Sequence, residues 1–105
     1  MDNTNFSIRK VSEAPDVKFE AEGYIVYDTA GSLVKALNDS FDLNPESVII
    51  DMEKVVVFTS VGIRVVVKVY KAAEEKGVRF KIVNPSEVVI NVLKLSGLEK
   101  LLMVN

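Results

Sequence analysis

The 105-residue chain contains no cysteine and no histidine. Their absence removes thiolate nucleophiles, disulfides, the usual zinc ligand sets and imidazole acid–base chemistry together. An excess of either charge is lacking too. Thirteen Lys and Arg stand against 15 Asp and Glu, a formal net charge of −2, which gives no basis for nucleic-acid binding. No apolar run reaches the length of a membrane span, because Arg64, Lys68 and Lys71 interrupt the most hydrophobic region, so no membrane insertion is expected. The first ten residues, MDNTNFSIRK, hold no apolar signal core, and the expected location is cytoplasmic. There is also no carboxylate pair, Gly-rich phosphate loop or nucleophile–base set. A catalytic role for this chain is therefore not expected, nor a cofactor or metal.

What is present is the composition of a soluble globular domain, 49% hydrophobic and 27% charged. Residues 1–105 suffice for one domain with one core. The most informative stretch is VVVFTSVGIRVVVKVY, Val55 to Tyr70. After Gly62, polar residues fall at Arg64, Lys68, Lys71 and Glu75, while Ile63, Val66, Val67, Tyr70 and Ala73 lie opposite. This is the period of a helix with one buried face. Val55 to Phe58 has no such period and reads as a strand buried on both faces. Thr59-Ser60 thus marks a strand-to-helix turn, with Ser60 at or near the mouth of the helix.

The rest of the chain follows the same logic. Phe6, Ile8 and Val11 suggest a first strand, and Ala14-Pro15-Asp16 a turn. Val17, Phe19 and Ala21 alternate with charged neighbours in a second strand that stops near Gly23, while the apolar Tyr24 to Tyr27 either extends it or leads into the next element. Asp28 or Thr29 is the expected N-cap of a helix carrying Ala30, Leu33, Val34, Leu37 and Phe41. Ser47 to Met52 is a short buried strand ending near Asp51. Gly77 closes the central helix, and Val78 to Val83 form another strand. Asn84-Pro85-Ser86-Glu87 has the form of a helix start, with Asn84 as cap, for a helix that stops at Gly97. Leu101 to Val104 closes the chain as a strand or helical turn. The order β-β-α-β-α-β-α-β predicts an α/β fold with a mixed, mostly parallel sheet, an N-terminal hairpin and three to four helices.

Ser60 has two readings at this point. It is either an ordinary N-cap, or an exposed hydroxyl where a phosphate would be favoured by the free N–H groups and dipole of the helix. Gly62 either costs helix stability or admits a close backbone. Arg64, Lys68 and Lys71 form an exposed basic stripe, solvated or available to an acidic surface or a phosphate.

Val48-Ile49-Ile50-Asp51-Met52, Val57-Phe58-Thr59-Ser60-Val61-Gly62-Ile63, Lys76-Gly77-Val78 and Leu93-Lys94-Leu95-Ser96-Gly97-Leu98 resemble the STAS family. Within it the likeness is to the single-domain bacterial anti-sigma-factor antagonists, from about Val17 onward. The resemblance implies a phosphoprotein that regulates transcription by partner switching. The unphosphorylated antagonist would bind an anti-sigma factor with serine kinase activity and be released when Ser60 is phosphorylated; a PP2C-type, metal-dependent phosphatase would restore it. The implied partner-binding residues are Thr59, Ser60, Val61, Gly62, Arg64 and Lys68. Thr59 and Val26 stand where this family usually has acids, Val61 replaces a common second serine, and Arg64 stands where small residues are usual. These departures motivate an alternative, an unphosphorylated STAS subunit of another complex such as a lipid transporter accessory domain.

Overall fold

Period-two alternation over Val17, Phe19 and Ala21 does yield a strand, and its first partner lies immediately upstream. The computed structural model describes residues 5–98 and 100. In it β1 (Phe6–Ser12) runs antiparallel to β2 (Asp16–Ile25). Helix α1 (Tyr27–Ser40) and a short 3-10 turn (Phe41–Leu43) lead to β3 (Ser47–Phe58), then α2 (Ser60–Glu75), β4 (Arg79–Val83) and α3 (Glu87–Leu95). The sheet order is β1-β2-β3-β4, with β2–β3 and β3–β4 both parallel. The expected mixed sheet, hairpin and three helices are thus present, while the Leu101–Val104 segment lies outside the described residues.

One core holds these elements together. Val17, Phe19 and Ile25 of β2, Val48, Ile50 and Met52 of β3, and Phe80 and Ile82 of β4 form one buried cluster with Leu33, Leu37, Val66, Val69, Val89 and Leu93 of the three helices. The alternate sheet positions Lys18, Glu20, Ile49, Asp51, Lys81 and Val83 are only half-buried.

Several boundaries differ from the expectation, each for a local reason. β2 does not stop at Gly23 but runs on to Ile25, the extension that the apolar Tyr24 to Tyr27 leaves open. Gly23 sits at φ +102° so close to β1 that a Cβ would lie 2.2 Å from the carbonyl oxygen of Asn5. That carbonyl accepts from the Tyr24 N–H at 2.9 Å, so the ladder passes through the glycine. β3 is a single 12-residue strand rather than a short one ending near Asp51. It outruns β4, whose last residue Val83 pairs with Asp51. Beyond that point the start of α3 takes the place of a strand: the Ser86 N–H donates to the Met52 carbonyl and its hydroxyl to that of Val55, at 3.1 and 2.6 Å. With a short helical contact instead of a full ladder, Val55–Phe58 is not buried on both faces, and Val56 is 54% exposed.

Asp51 accordingly lies within β3. Its Oδ1 accepts from the Glu53 N–H and its Oδ2 from the Asn84 side-chain amide, both at 2.9 Å. Asn84 is left-handed, φ 47°, and belongs to the turn, so the cap of α3 falls two residues later, at Ser86. The cap of α1 is Val26, not Asp28 or Thr29. Thr29 instead reaches back from the third helical position, accepting from the Val26 N–H at 3.0 Å and donating to the Tyr24 carbonyl at 2.6 Å. The helix ends were legible. Gly77 at φ +71° lets the N–H of Val78 reach the Ala73 carbonyl and its own N–H that of Glu74, and Gly97 closes α3 in the same way.

Candidate functional site

The parallel strands β2 and β3 end side by side, Ile25 opposite Phe58. Each enters a helix after a single residue, Val26 before α1 and Thr59 before α2. Two helix N-termini therefore open on the C-terminal edge of the sheet, where open α/β folds place their sites. The carbonyl of Ile25 ties them together by accepting from both the N–H and the hydroxyl of Thr59, at 3.3 and 3.2 Å.

This arrangement removes the N-cap reading of Ser60. Thr59 is extended and occupies the cap position of α2, its carbonyl accepting from the Ile63 N–H at 3.2 Å. Ser60 is already the first helical residue, so it is not the N-cap. Its side chain is exposed, and among the described residues its hydroxyl makes no hydrogen bond within the chain. Thr59 presents no hydroxyl to the helix either, because that group is committed to Ile25.

Gly62 is buried in the first turn of α2. A Cβ there would lie 2.7 and 2.8 Å from Phe58 ring carbons and 3.0 Å from Cγ2 of Ile25. What approaches the glycine is therefore a pair of side chains, not the close backbone that is one of its two readings. The missing methyl lets the first turn settle onto the ends of both strands, which sets how Ser60 is presented.

The inward face of α2 is Gly62, Val65, Val66, Val69 and Ala73, whereas Ile63, Val67 and Tyr70 are only half-buried. Val65, Val66, Val67 and Val69 are too alike for hydrophobic period alone to choose among them. The spacing 62, 66, 69 and 73 turns the helix onto its glycine. As a result Val61, Ile63 and Val67, with Val34 of α1, line a shallow depression of about 420 Å³ whose rim carries Arg64, Lys68 and Lys71. All three cations are exposed, and none joins an ion pair among the described residues, so the basic stripe is present as expected. The first turn of α2 has no acidic residue, and that of α1 has Asp28.

The proposed binding residues Thr59, Ser60, Val61, Gly62, Arg64 and Lys68 thus fall between Thr59, the cap of α2, and Lys68 in its third turn. They are not equally available. Gly62 is buried and supports the surface from beneath, while Thr59 is half-buried. Tyr27, which sequence reasoning passed over, is 83% exposed at the first position of α1 on the same sheet edge. A signal for it exists: the residue one turn on is Gly31, which offers no side chain for the ring to cover. Among the described residues no group of three or more His, Cys, Asp or Glu could hold a metal, and no helix is long and apolar enough to cross a membrane.

Against known proteins, residues 6–105 match the family described as the STAS domain. No curated protein sequence matches the chain. Among solved structures, an anti-sigma factor antagonist from Mycobacterium paratuberculosis is similar with a TM-score of 0.85 at 20% identity, over 95% of this chain and 86% of that one. The anti-sigma factor antagonist SpoIIAA in its unphosphorylated form gives a TM-score of 0.78 at 20% identity, over 95% and 88% of the two chains. The phosphorylated form of the Bacillus cell fate determinant SpoIIAA gives 0.71 at 19% identity, over 95% and 91%. At these identities the structures establish a shared fold.

Proposed function

The chain belongs to the STAS domain family, and from that premise we propose that it acts by binding, as an anti-sigma-factor antagonist whose docking is switched at Ser60. The observation that carries the reading is the exposed hydroxyl at the first position of α2, which makes no hydrogen bond among the described residues. The partner is an anti-sigma factor with serine kinase activity. It transfers the γ-phosphoryl group of ATP to the Ser60 Oγ: the new O–P bond forms as the bond to ADP breaks, and the hydroxyl proton passes to solvent or a kinase base. The product carries about −1.5 to −2 charge at pH 7. A dianion at a docking surface must be desolvated when the partner closes over it, and that cost releases the partner. Hydrolysis of the ester by a PP2C-type phosphatase restores the hydroxyl. Thr59, Val61, Arg64 and Lys68 form the docking face around Ser60, and Gly62 holds it in place.

A second reading has its own support. The cap positions of both helices, Val26 and Thr59, lack acids, and the Thr59 hydroxyl is turned to Ile25. A permanent STAS subunit of another complex, a lipid transporter for example, needs no charge there and no modification. Incubating the chain with ATP and a candidate anti-sigma-factor serine kinase, followed by intact-mass analysis and peptide mapping, separates the two. One phosphate on Ser60, absent from Ser60→Ala, together with loss of kinase binding by Ser60→Asp, is the result expected of the switch. No modification by a kinase active on another antagonist, or equal binding by both variants, sinks it in favour of the permanent subunit.

A further inference from the structure

We propose that Arg64 is the intramolecular partner of the Ser60 phosphate, its guanidinium closing on the phosphate one helical turn downstream. The inference rests on the reading of Ser60 as a modification site. Residues four apart on a helix surface are neighbours, with Cβ atoms about 5–6 Å apart, and the anion-before-cation order agrees with the helix dipole. Both residues are exposed on α2. No carboxylate competes on their own helix turn, because the first turn of α2 has no acidic residue and Arg64 joins no ion pair among the described residues. Among the described residues, the other charged groups near the starts of these two helices are Lys68, one turn further along α2, and Asp28, in the first turn of α1. The strand ends beneath contribute none, since Ile25 and Phe58 are buried and apolar. Of the two cations only Arg64 sits at the spacing that meets the phosphate directly, and its planar fork suits a phosphate better than an ammonium does.

The consequence is a change of two terms at once. Modification adds an anion to the docking face and also withdraws Arg64 from the cationic rim of the depression over Val61 and Val67. The surface then presents an ion pair with a net charge of about −0.5 to −1 where it had presented an open cation. A residue acting through Arg64 on the free protein, and not only through the partner, makes the pairing measurable without any partner.

The test uses the full chain with phosphoserine encoded at position 60, verified by mass, and a phosphorus NMR titration of its second ionisation. A paired cation favours the dianion, so the ionisation should fall lower in the wild-type background than in Arg64→Gln, by about half a pH unit. Lys68→Gln should move it less than Arg64→Gln, and Arg64→Lys should recover part of the effect. Coincident titrations of wild type and Arg64→Gln, or a Lys68→Gln effect as large as that of Arg64→Gln, overturn the pairing. Encoding the phosphoserine keeps the two ideas apart. Failure of every kinase to modify Ser60 removes the switch without changing this titration, and coincident titrations remove the pairing without touching kinase recognition.

Discussion

Two glycines in helices, Gly31 and Gly62, should respond differently to the same substitution, the first gaining stability and the second not. Gly→Ala in a helix interior gains about 1 kcal/mol of intrinsic propensity. At Gly31 an added Cβ meets nothing within 4 Å, so Gly31→Ala should stabilise the domain by nearly that amount. At Gly62 the same methyl lands 2.7 Å from the Phe58 ring and 3.0 Å from Ile25, both buried. Overpacking of this kind costs about 1–3 kcal/mol. The net expectation for Gly62→Ala therefore runs from neutral to about 2 kcal/mol destabilised, and the gap between the two variants measures the overpacking directly. Equilibrium urea unfolding followed by far-UV circular dichroism reads both, and thermal midpoints should separate by at least about 4 °C. Phe58→Leu supplies a second axis. If the ring is what the methyl strikes, the two substitutions will couple by about 0.5 kcal/mol or more in a double-mutant cycle. A Gly62→Ala variant as stabilised as Gly31→Ala would refute the close packing of the first turn of α2 on the strand ends.

Two further outcomes follow from burial and exposure. Phe80, 1% exposed in β4, should cost about 3–5 kcal/mol when truncated to alanine, read as a shift of the urea midpoint at constant slope. Tyr27, exposed beside the Ser60 turn, should change stability by less than about 0.5 kcal/mol as Tyr27→Ala. The same variant should weaken kinase binding by about 2 kcal/mol or more in calorimetry if the ring anchors the interface; unchanged binding would place the docking face away from the start of α1.

What was legible in the sequence was set by chemistry that acts locally. Gly77 and Gly97 end helices because the conformation they adopt is theirs almost alone, and both ends fall where expected. The alternation in Val17–Ala21 and the strand-to-helix change at Thr59 survive for the same reason. The errors cluster where a distant partner decides. β3 runs past Asp51 because β2 continues beside it, and α3 starts at Ser86 because that residue's hydroxyl and N–H are needed by β3. The register of α2 was unreadable for a different reason: with valines at 65, 66, 67 and 69, period alone has several near-equal answers. Gly62 breaks the tie, but only through the Phe58 ring and Ile25, which lie on two other elements.

The same dependence on partners separates Thr59 from Ser60, two adjacent hydroxyls that look interchangeable in the sequence. Modifying Thr59 would break the bond from its hydroxyl to the Ile25 carbonyl and force a charged group into a half-buried seam between β2 and α2. Stripping that carbonyl of a partner and desolvating a dianion both oppose the folded state. Modifying Ser60 breaks nothing among the described residues, since its hydroxyl is exposed and unbonded. An anion at that position instead interacts favourably with the helix dipole, by about 0.3–1 kcal/mol. A negative group on Ser60 therefore leaves the fold intact and acts on whatever covers the surface, whereas one on Thr59 acts on the fold itself. A switch built at this turn has to use the second hydroxyl.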